Sequence, residues 1–94
     1  MEIEHKKIGT KGLFYVAGTK DPLAKMIYTM PSPEKMIIEH TEVSDELRGQ
    51  NMGYKLVKTA VEFAREHNIK IIPLCPFANS VFKRKPEFAD VLAK

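Results

Sequence analysis

The chain has 94 residues, of which 44% are hydrophobic and 29% charged, a composition that excludes a disordered or fibrous protein. The formal net charge of +3 is a mild bias toward anionic ligands and falls well short of the footprint of a nucleic-acid-binding domain. A single cysteine excludes an internal disulfide, and we find neither a signal peptide nor an apolar run long enough to cross a bilayer. We therefore expect one domain over residues 1–94, cytoplasmic, monomeric or weakly dimeric, and without a membrane partner.

The first half of the chain predicts an antiparallel meander of about four strands. Residues 2–8 form a polar, weakly alternating run typical of an edge strand, and residues 13–17 are apolar and aromatic. Residues 23–30 alternate well, so that one face of this third strand would carry Ala24, Met26, Tyr28 and Met30. Pro31-Ser32-Pro33 ends it, and a fourth strand follows over Lys35–Val43, apolar at its start and polar at its end.

The second half predicts a βαβ unit. From about Asn51 the apolar spacing becomes helical and stays so to His67 and Asn68, and residues 69–74 then indicate a short buried strand. Cys75 and Pro76 begin a shorter helix that extends to about Lys85. The crossover of such a unit is right-handed, so the helix N-terminus and the C-terminal ends of both strands share one sheet edge, where ligands bind. The predicted fold class is α+β: the meander, the βαβ unit and a short C-terminal helix.

The segment Arg48-Gly49-Gln50-Asn51-Met52-Gly53 stands at this edge, just after a strand and at the start of the long helix. The first N–H groups of a helix lack internal partners and carry the positive end of its dipole, and glycines let a phosphate approach them. Arg48 adds a cation that can bind a phosphate in a bidentate manner. Neither of the common glycine-rich nucleotide patterns fits, so an ordinary strand-to-helix turn stays open as the alternative.

The same segment resembles the acetyl-CoA diphosphate signature Q/R-x-x-G-x-G/A of the GNAT acyltransferase superfamily. Arg48 matches its first position and Gly53 its last, whereas Asn51 replaces the central glycine. Asn is the non-glycine residue that best tolerates left-handed backbone geometry. With His40-Thr41-Glu42-Val43 before the loop and Cys75-Pro76-Phe77 after the next strand, the chain is similar to a minimal, single-domain GNAT family.

This resemblance implies a GNAT-like acetyl-CoA-binding domain in which the strands over 36–43 and 69–74 splay apart. In such proteins the pantetheine arm enters the gap and bonds to the backbone of the first strand, here at Thr41 and Val43, and Asn79 reaches the same arm. Phe82 stands where larger relatives carry a tyrosine acid, so the usual proton donor is missing. The implied diphosphate ligands are Arg48, Gly49, Gln50, Asn51, Met52 and Gly53.

Cys75 is the candidate that supplies the missing chemistry. A thiol just before a helix N1 proline lies in the positive field of the helix, which favours the thiolate. It would act as a nucleophile that carries the acetyl group, or as the acid that protonates the departing CoA thiolate. A small buried hydrophobic residue at a strand end is the structural alternative.

His40 and Glu42 are the candidate bases, because the attacking amine must lose a proton. They lie two residues apart and share one face of the fourth strand, with Glu39 and Thr41 expected on the other. Solvated polar residues on a half-exposed strand are the alternative. Three scattered histidines and one cysteine predict no metal site.

Taken together, these residues predict an acetyl-CoA-dependent N-acetyltransferase whose acceptor is a small amine or a protein lysine. A CoA-binding protein without catalysis is the second hypothesis, favoured by Phe82 and by Asn51. A small basic nucleic-acid binder is the third, but the chain lacks an aromatic RNA-binding motif, and we expect no nucleic-acid partner. Lys83-Arg84-Lys85 would meet the adenosine phosphate of CoA or form a solvated helix end.

Overall fold

The computed structural model describes residues 2–93, which contain a five-stranded sheet. Its strands lie side by side in chain order: β1 (Glu4–Ile8), β2 (Lys11–Val16), β3 (Ala24–Ser32), β4 (Lys35–Val43) and β5 (Lys70–Pro73). Neighbouring strands are antiparallel from β1 to β4, whereas β4 and β5 are parallel. The predicted meander and the predicted βαβ unit are therefore confirmed.

Two helices follow the meander, α1 (Met52–His67) and α2 (Pro76–Arg84), with 3₁₀ turns at Asp45–Leu47 and Pro86–Val91. The chain enters and leaves α1 through two asparagines in the left-handed conformation, Asn51 with φ 57° and Asn68 with φ 55°. Asparagine is suited to these positions because its short polar side chain tolerates positive φ. None of the helices within residues 2–93 is long and apolar enough to cross a membrane.

The core lies between α1 and one face of the sheet, which we call the helix face. On β3, Met26 and Tyr28 are fully buried while the neighbouring residues Lys25 and Ile27 are only half-buried, as the alternation predicts. The apolar stripe of α1 is buried against this face, and its members are Met52, Leu56, Val57, Ala60, Val61 and Ala64. The opposite side of the sheet, here called the outer face, is partly exposed to solvent.

Pro31 does not end β3, contrary to the prediction. The strand continues to Ser32, which pairs with Lys35 of β4. The pairing register shifts between Thr29 and Ser32, and a proline fits at such an irregularity because it has no N–H to donate to the ladder.

The parallel strands β4 and β5 separate partway along β4. They pair from Lys35 opposite Lys70 to Ile38 opposite Pro73, and the Cys75 N–H then donates to the Ile38 carbonyl at 2.9 Å. Beyond Ile38, β4 continues to Val43 paired only with β3, so one backbone edge of residues 39–43 is left open. The splayed strand pair that the resemblance implied is confirmed.

A β-bulge at Glu39 decides which β4 side chains face the helices. Tyr28 lies opposite Ile38 and Ile27 lies opposite His40, which leaves Glu39 without a partner and shifts the alternation by one residue. The Glu39 carboxylate therefore lies on the outer face, where it accepts a hydrogen bond from the Thr29 hydroxyl at 2.8 Å. The expectation that Glu39 shares a face with Thr41 is wrong because of this extra residue.

Candidate functional site

A cleft of about 390 Å³ opens where the end of β4, the following loop and the start of α1 meet; we call it the main cleft. It is lined by seven of the predicted site residues: Thr41, Val43, Arg48, Gly49, Asn51, Met52 and Gly53. The sequence did not predict three further residues that line the cleft, Leu47, Tyr54 and Phe77. Phe77 alone carried a signal, because it belongs to the Cys75-Pro76-Phe77 motif.

The loop reaches α1 through two residues with positive φ. Ser44 begins it by accepting a hydrogen bond from the Glu46 N–H at 3.2 Å, which caps the 3₁₀ turn. Gly49 has φ 85° and Asn51 has φ 57°. Asn51 thus holds the left-handed geometry at the position where the resembled signature has glycine.

The backbone N–H groups at the start of α1 are available to a ligand. The first intrahelical bond runs from the Lys55 N–H to the Asn51 carbonyl at 3.1 Å, and the Asn51 side chain caps nothing. Within residues 2–93 the N–H groups of Met52, Gly53 and Tyr54 consequently have no acceptor. Gln50 differs, because its N–H donates to the Leu47 carbonyl at 3.2 Å and the residue does not line the cleft.

The Arg48 guanidinium is at the cleft but is not fixed there. It pairs with the Asp45 carboxylate at 2.9 Å, and the two side chains are 79% and 89% exposed. Because ion pairs this exposed are strongly screened by water, the Arg48 side chain can exchange Asp45 for another anion.

Gly53 makes room for an aromatic ring from α2. A Cβ at this position would lie 2.6 Å from the Phe77 ring, so a larger residue would displace that ring from the cleft wall. At Gly49 a Cβ would meet nothing within 4 Å, and glycine is required there by the positive φ. Packing against Phe77 therefore adds a second reason for glycine at position 53, beside the close approach of a phosphate.

Cys75 lies on the same side of the sheet as the main cleft. It is the N-cap residue of α2, its side chain is 5% exposed, and its Sγ lies 3.5 Å from the Thr41 hydroxyl oxygen, to which the thiol donates. Thr41 also lines the cleft. The predicted thiol, Cys75, therefore contacts Thr41, the residue of β4 that was predicted to bind the pantetheine arm.

The surroundings of Cys75 favour its ionised form. Burial alone would raise the pKa of the thiol, but hydrogen bonds from the backbone N–H groups of Ala78 and Phe77 and from Thr41 outweigh it, so the pKa lies below its ordinary value. These N–H groups belong to the first turn of α2, whose dipole has the same effect.

His40 and Glu42 form a pair on the outer face. The His40 Nε2 lies 3.0 Å from a Glu42 carboxylate oxygen, which is also 3.6 Å from the Lys25 ammonium. Their partners across the ladder, Ile27 and Lys25, confirm that the two share one face, and it is not the face of Cys75. Neither residue lines the main cleft, although Glu42 lines a second depression that shares Val43 with it.

Two residues of α2 lie outside the main cleft. Asn79 is exposed, and its N–H donates to the Cys75 carbonyl at 2.9 Å. Phe82 is buried and packs edge-on against Phe88 with ring centroids 6.2 Å apart. Neither residue therefore provides a general acid to a ligand in the cleft.

The parallel strands that separate beside an amide-lined helix start form the arrangement that the resemblance to the GNAT superfamily implied. The model of the GCN5-related N-acetyl-transferase family matches residues 13–91 of the chain. A GCN5-like protein from Staphylococcus aureus, solved in solution by NMR, has a TM-score of 0.73 and 38% identity, covering 96% of this chain and 87% of that one.

Two further proteins are similar to this chain. Protein NATD1 of Danio rerio is 26% identical over 86 residues, which are 92% of this chain and 77% of that protein. A GNAT family acetyltransferase from Elizabethkingia anophelis with acetyl-CoA bound has a TM-score of 0.57 and 15% identity over 82% of this chain and 53% of that one, a likeness of fold alone.

The chain belongs to the GCN5-related N-acetyltransferase (GNAT) family. The predicted family, the α+β GNAT fold class and the prediction of an N-acetyltransferase enzyme are confirmed by this membership and by the S. aureus structure. Proteins of this family use acetyl-CoA, and the E. anophelis structure holds it.

The lowered pKa of Cys75 predicts the pH dependence of its alkylation. Only the thiolate reacts with iodoacetamide, so the rate should reach half its maximum at a lower pH than that of an unstructured cysteine peptide. Thr41→Val removes a hydrogen bond to the sulfur and should move the midpoint upward, whereas Thr41→Ser keeps the hydroxyl and should leave it in place. A wild-type midpoint at or above that of the peptide, or one insensitive to Thr41→Val, would contradict this account.

The contact between Gly53 and Phe77 predicts a coupling that thermal unfolding measures. In a Phe77→Ala background, Gly53→Ala should raise stability by up to about 1 kcal/mol, because alanine favours the helix. With Phe77 present, the clash at 2.6 Å should cancel that gain or reverse it. Gly49→Ala is the control, since its cost arises from φ 85° and should be equal in both backgrounds. Equal effects of Gly53→Ala in the two backgrounds would refute the coupling.

Proposed function

We propose that this chain binds acetyl-CoA in the main cleft and transfers its acetyl group to an amine. The observation that carries the proposal is the continuity of two sites. The residues at the start of α1, whose first N–H groups have no acceptor within residues 2–93, line the cleft. Thr41, which lines the β4 side of the cleft, contacts the Cys75 sulfur. A ligand that carries both a diphosphate and a thioester is matched to such a cleft.

The diphosphate would bind to the start of α1. The N–H groups of Met52, Gly53 and Tyr54 supply donors at the positive end of the helix dipole, and the predicted Gly49 and Asn51 shape the loop. Arg48 would exchange its exposed partner Asp45 for a phosphate oxygen. Gln50, whose N–H is already bonded, would contribute through its side chain alone.

The pantetheine arm would follow the open edge of β4. In the part of the chain that the structure describes, residues 39–43 have no second strand partner, so their backbone groups at Thr41 and Val43 can bond to the amides of the arm. This path directs the thioester toward Cys75, which touches Thr41. The role implied for Asn79 has the least support, because that residue is exposed and outside the cleft.

We assign Cys75 the role of nucleophile rather than acid, because its lowered pKa favours the thiolate. The sulfur would attack the thioester carbonyl, the bond from the acetyl carbon to CoA sulfur would break, and CoA would leave as its thiolate. An amine would then attack the acetyl group on Cys75, lose a proton and leave as the amide, with the Cys75 thiolate restored.

His40 would accept the proton of the attacking amine. The His40 Nε2 lies 3.0 Å from the Glu42 carboxylate, which would orient the ring. Because this pair lies on the outer face and the Cys75 sulfur on the helix face, the amine would approach from the outer face, past the open edge of β4.

A CoA-binding protein without catalysis is the second candidate, and two observations favour it. Cys75 is only 5% exposed, and Phe82 is buried and has no proton to donate. In this case the cleft would hold CoA by the same contacts, without any transfer.

Intact-mass measurement after incubation with acetyl-CoA separates these proposals. We expect one added acetyl group on Cys75 of the wild-type chain, and its loss with release of CoA when a small amine or a lysine peptide is added. Cys75→Ala should still bind acetyl-CoA but should neither gain the acetyl group nor release CoA. Ser80→Ala, a change on the exposed side of α2, is the matched control and should behave as wild type.

Two other results would count against parts of the proposal. Amine acetylation that persists in Cys75→Ala would remove Cys75 from the mechanism and favour direct attack by the amine. Saturable binding of acetyl-CoA without acetyl transfer across a panel of amines would establish the non-catalytic candidate instead.

A further inference from the structure

A second opening of about 330 Å³ adjoins the main cleft, and we call it the basic cleft. It is lined by Asn51, Tyr54, Arg84 and Lys85. Asn51 and Tyr54 also line the main cleft, whereas neither Thr41 nor Val43 lines the basic cleft. The basic cleft therefore adjoins the α1 side of the main cleft and lies away from its β4 side.

The two cations of the basic cleft have no acidic partner within residues 2–93. The ion pairs of this part of the chain involve other residues, and none reaches Arg84 or Lys85. Arg84 is exposed and Lys85 is half-buried. Their charges are therefore available to an anion that enters the basic cleft.

The wall opposite these cations is held in place by packing. The Tyr54 ring stacks on Phe88 with centroids 6.1 Å apart and an interplanar angle of 18°, and Phe88 is 4% exposed. The Lys85 ammonium lies 5.2 Å from the centroid of the Tyr54 ring, within cation–π range. This contact keeps the ammonium beside the cleft instead of extended into solvent.

We propose that the basic cleft binds the ribose 3′-phosphate of acetyl-CoA through Arg84 and Lys85, an inference that rests on the proposed function of the main cleft. When the diphosphate lies on the N–H groups at the start of α1 and the thioester points to Thr41, the adenosine leaves the main cleft on the α1 side. That side is shared with the basic cleft through Asn51 and Tyr54. A phosphate monoester carries close to two negative charges at neutral pH, the anion that two unpaired cations suit best.

Calorimetric titration of the full chain with acetyl-CoA and with 3′-dephospho-acetyl-CoA tests this inference. We expect the wild-type chain to bind acetyl-CoA about tenfold more tightly than the dephospho compound at low ionic strength. The double variant Arg84→Ala/Lys85→Ala should bind the two ligands equally. Lys83→Ala is the control, because it removes one positive charge from the same helix end at a position that lines neither cleft, and it should keep the discrimination.

The outcomes separate a failure of this inference from a failure of the proposed function on which it rests. Equal binding of both ligands by the wild-type chain, or discrimination that survives in the double variant, overturns the role of the basic cleft and leaves the main cleft intact. Discrimination lost equally in Lys83→Ala overturns it too, because general charge would then account for the effect. Binding of neither ligand overturns the proposed function and this inference together.

Discussion

The separation of β4 from β5 beyond Ile38 is the constraint on which the remaining geometry depends. The Cys75 N–H bonds to the Ile38 carbonyl as the last link between the two strands, and the chain then turns into α2. Had the strands stayed paired, a neighbouring strand would occupy the edge along which a ligand could bond to β4. The bulge at Glu39 completes the arrangement, because it turns Thr41 toward Cys75 and places His40 and Glu42 on the outer face.

The starts of α1 and α2 converge on the region that this separation opens. The N–H groups at the start of α1 line the main cleft, while those of Phe77 and Ala78 in α2 lower the pKa of Cys75. The two helix starts lie close together, since a Cβ on Gly53 would be 2.6 Å from the Phe77 ring. Two positive helix ends thus serve two anions, the diphosphate of the proposed ligand and the thiolate of the protein.

Apolar periodicity suffices to predict β2, β3 and α1, since each of them buries one face, whereas every residue of β1 is exposed. The asparagines at the ends of α1 carry their own backbone preference. The apolar periodicity does not reveal the bulge at Glu39. The residues around it are polar, so the sequence of polar and apolar residues looks the same after a shift of one residue. The approach of Phe77 to Gly53 and the position of Tyr54 in the cleft wall could not be predicted from the sequence either. Both depend on how α2 packs against α1. The loop Arg48 to Gly53 was identified by its resemblance to a family signature more than by spacing.

The central claim is that the start of α1 holds the diphosphate of CoA, and an amide-resolved NMR titration of the whole chain with CoA tests it most directly. The account predicts that the largest changes in chemical shift fall on the N–H groups of Met52, Gly53 and Tyr54, which have no acceptor within residues 2–93. Gly9, Thr10 and Ser32 line a depression that shares no residue with the main cleft, so their N–H groups are an internal reference and should respond little. Saturable changes confined to that depression, with the start of α1 unaffected, would contradict the account.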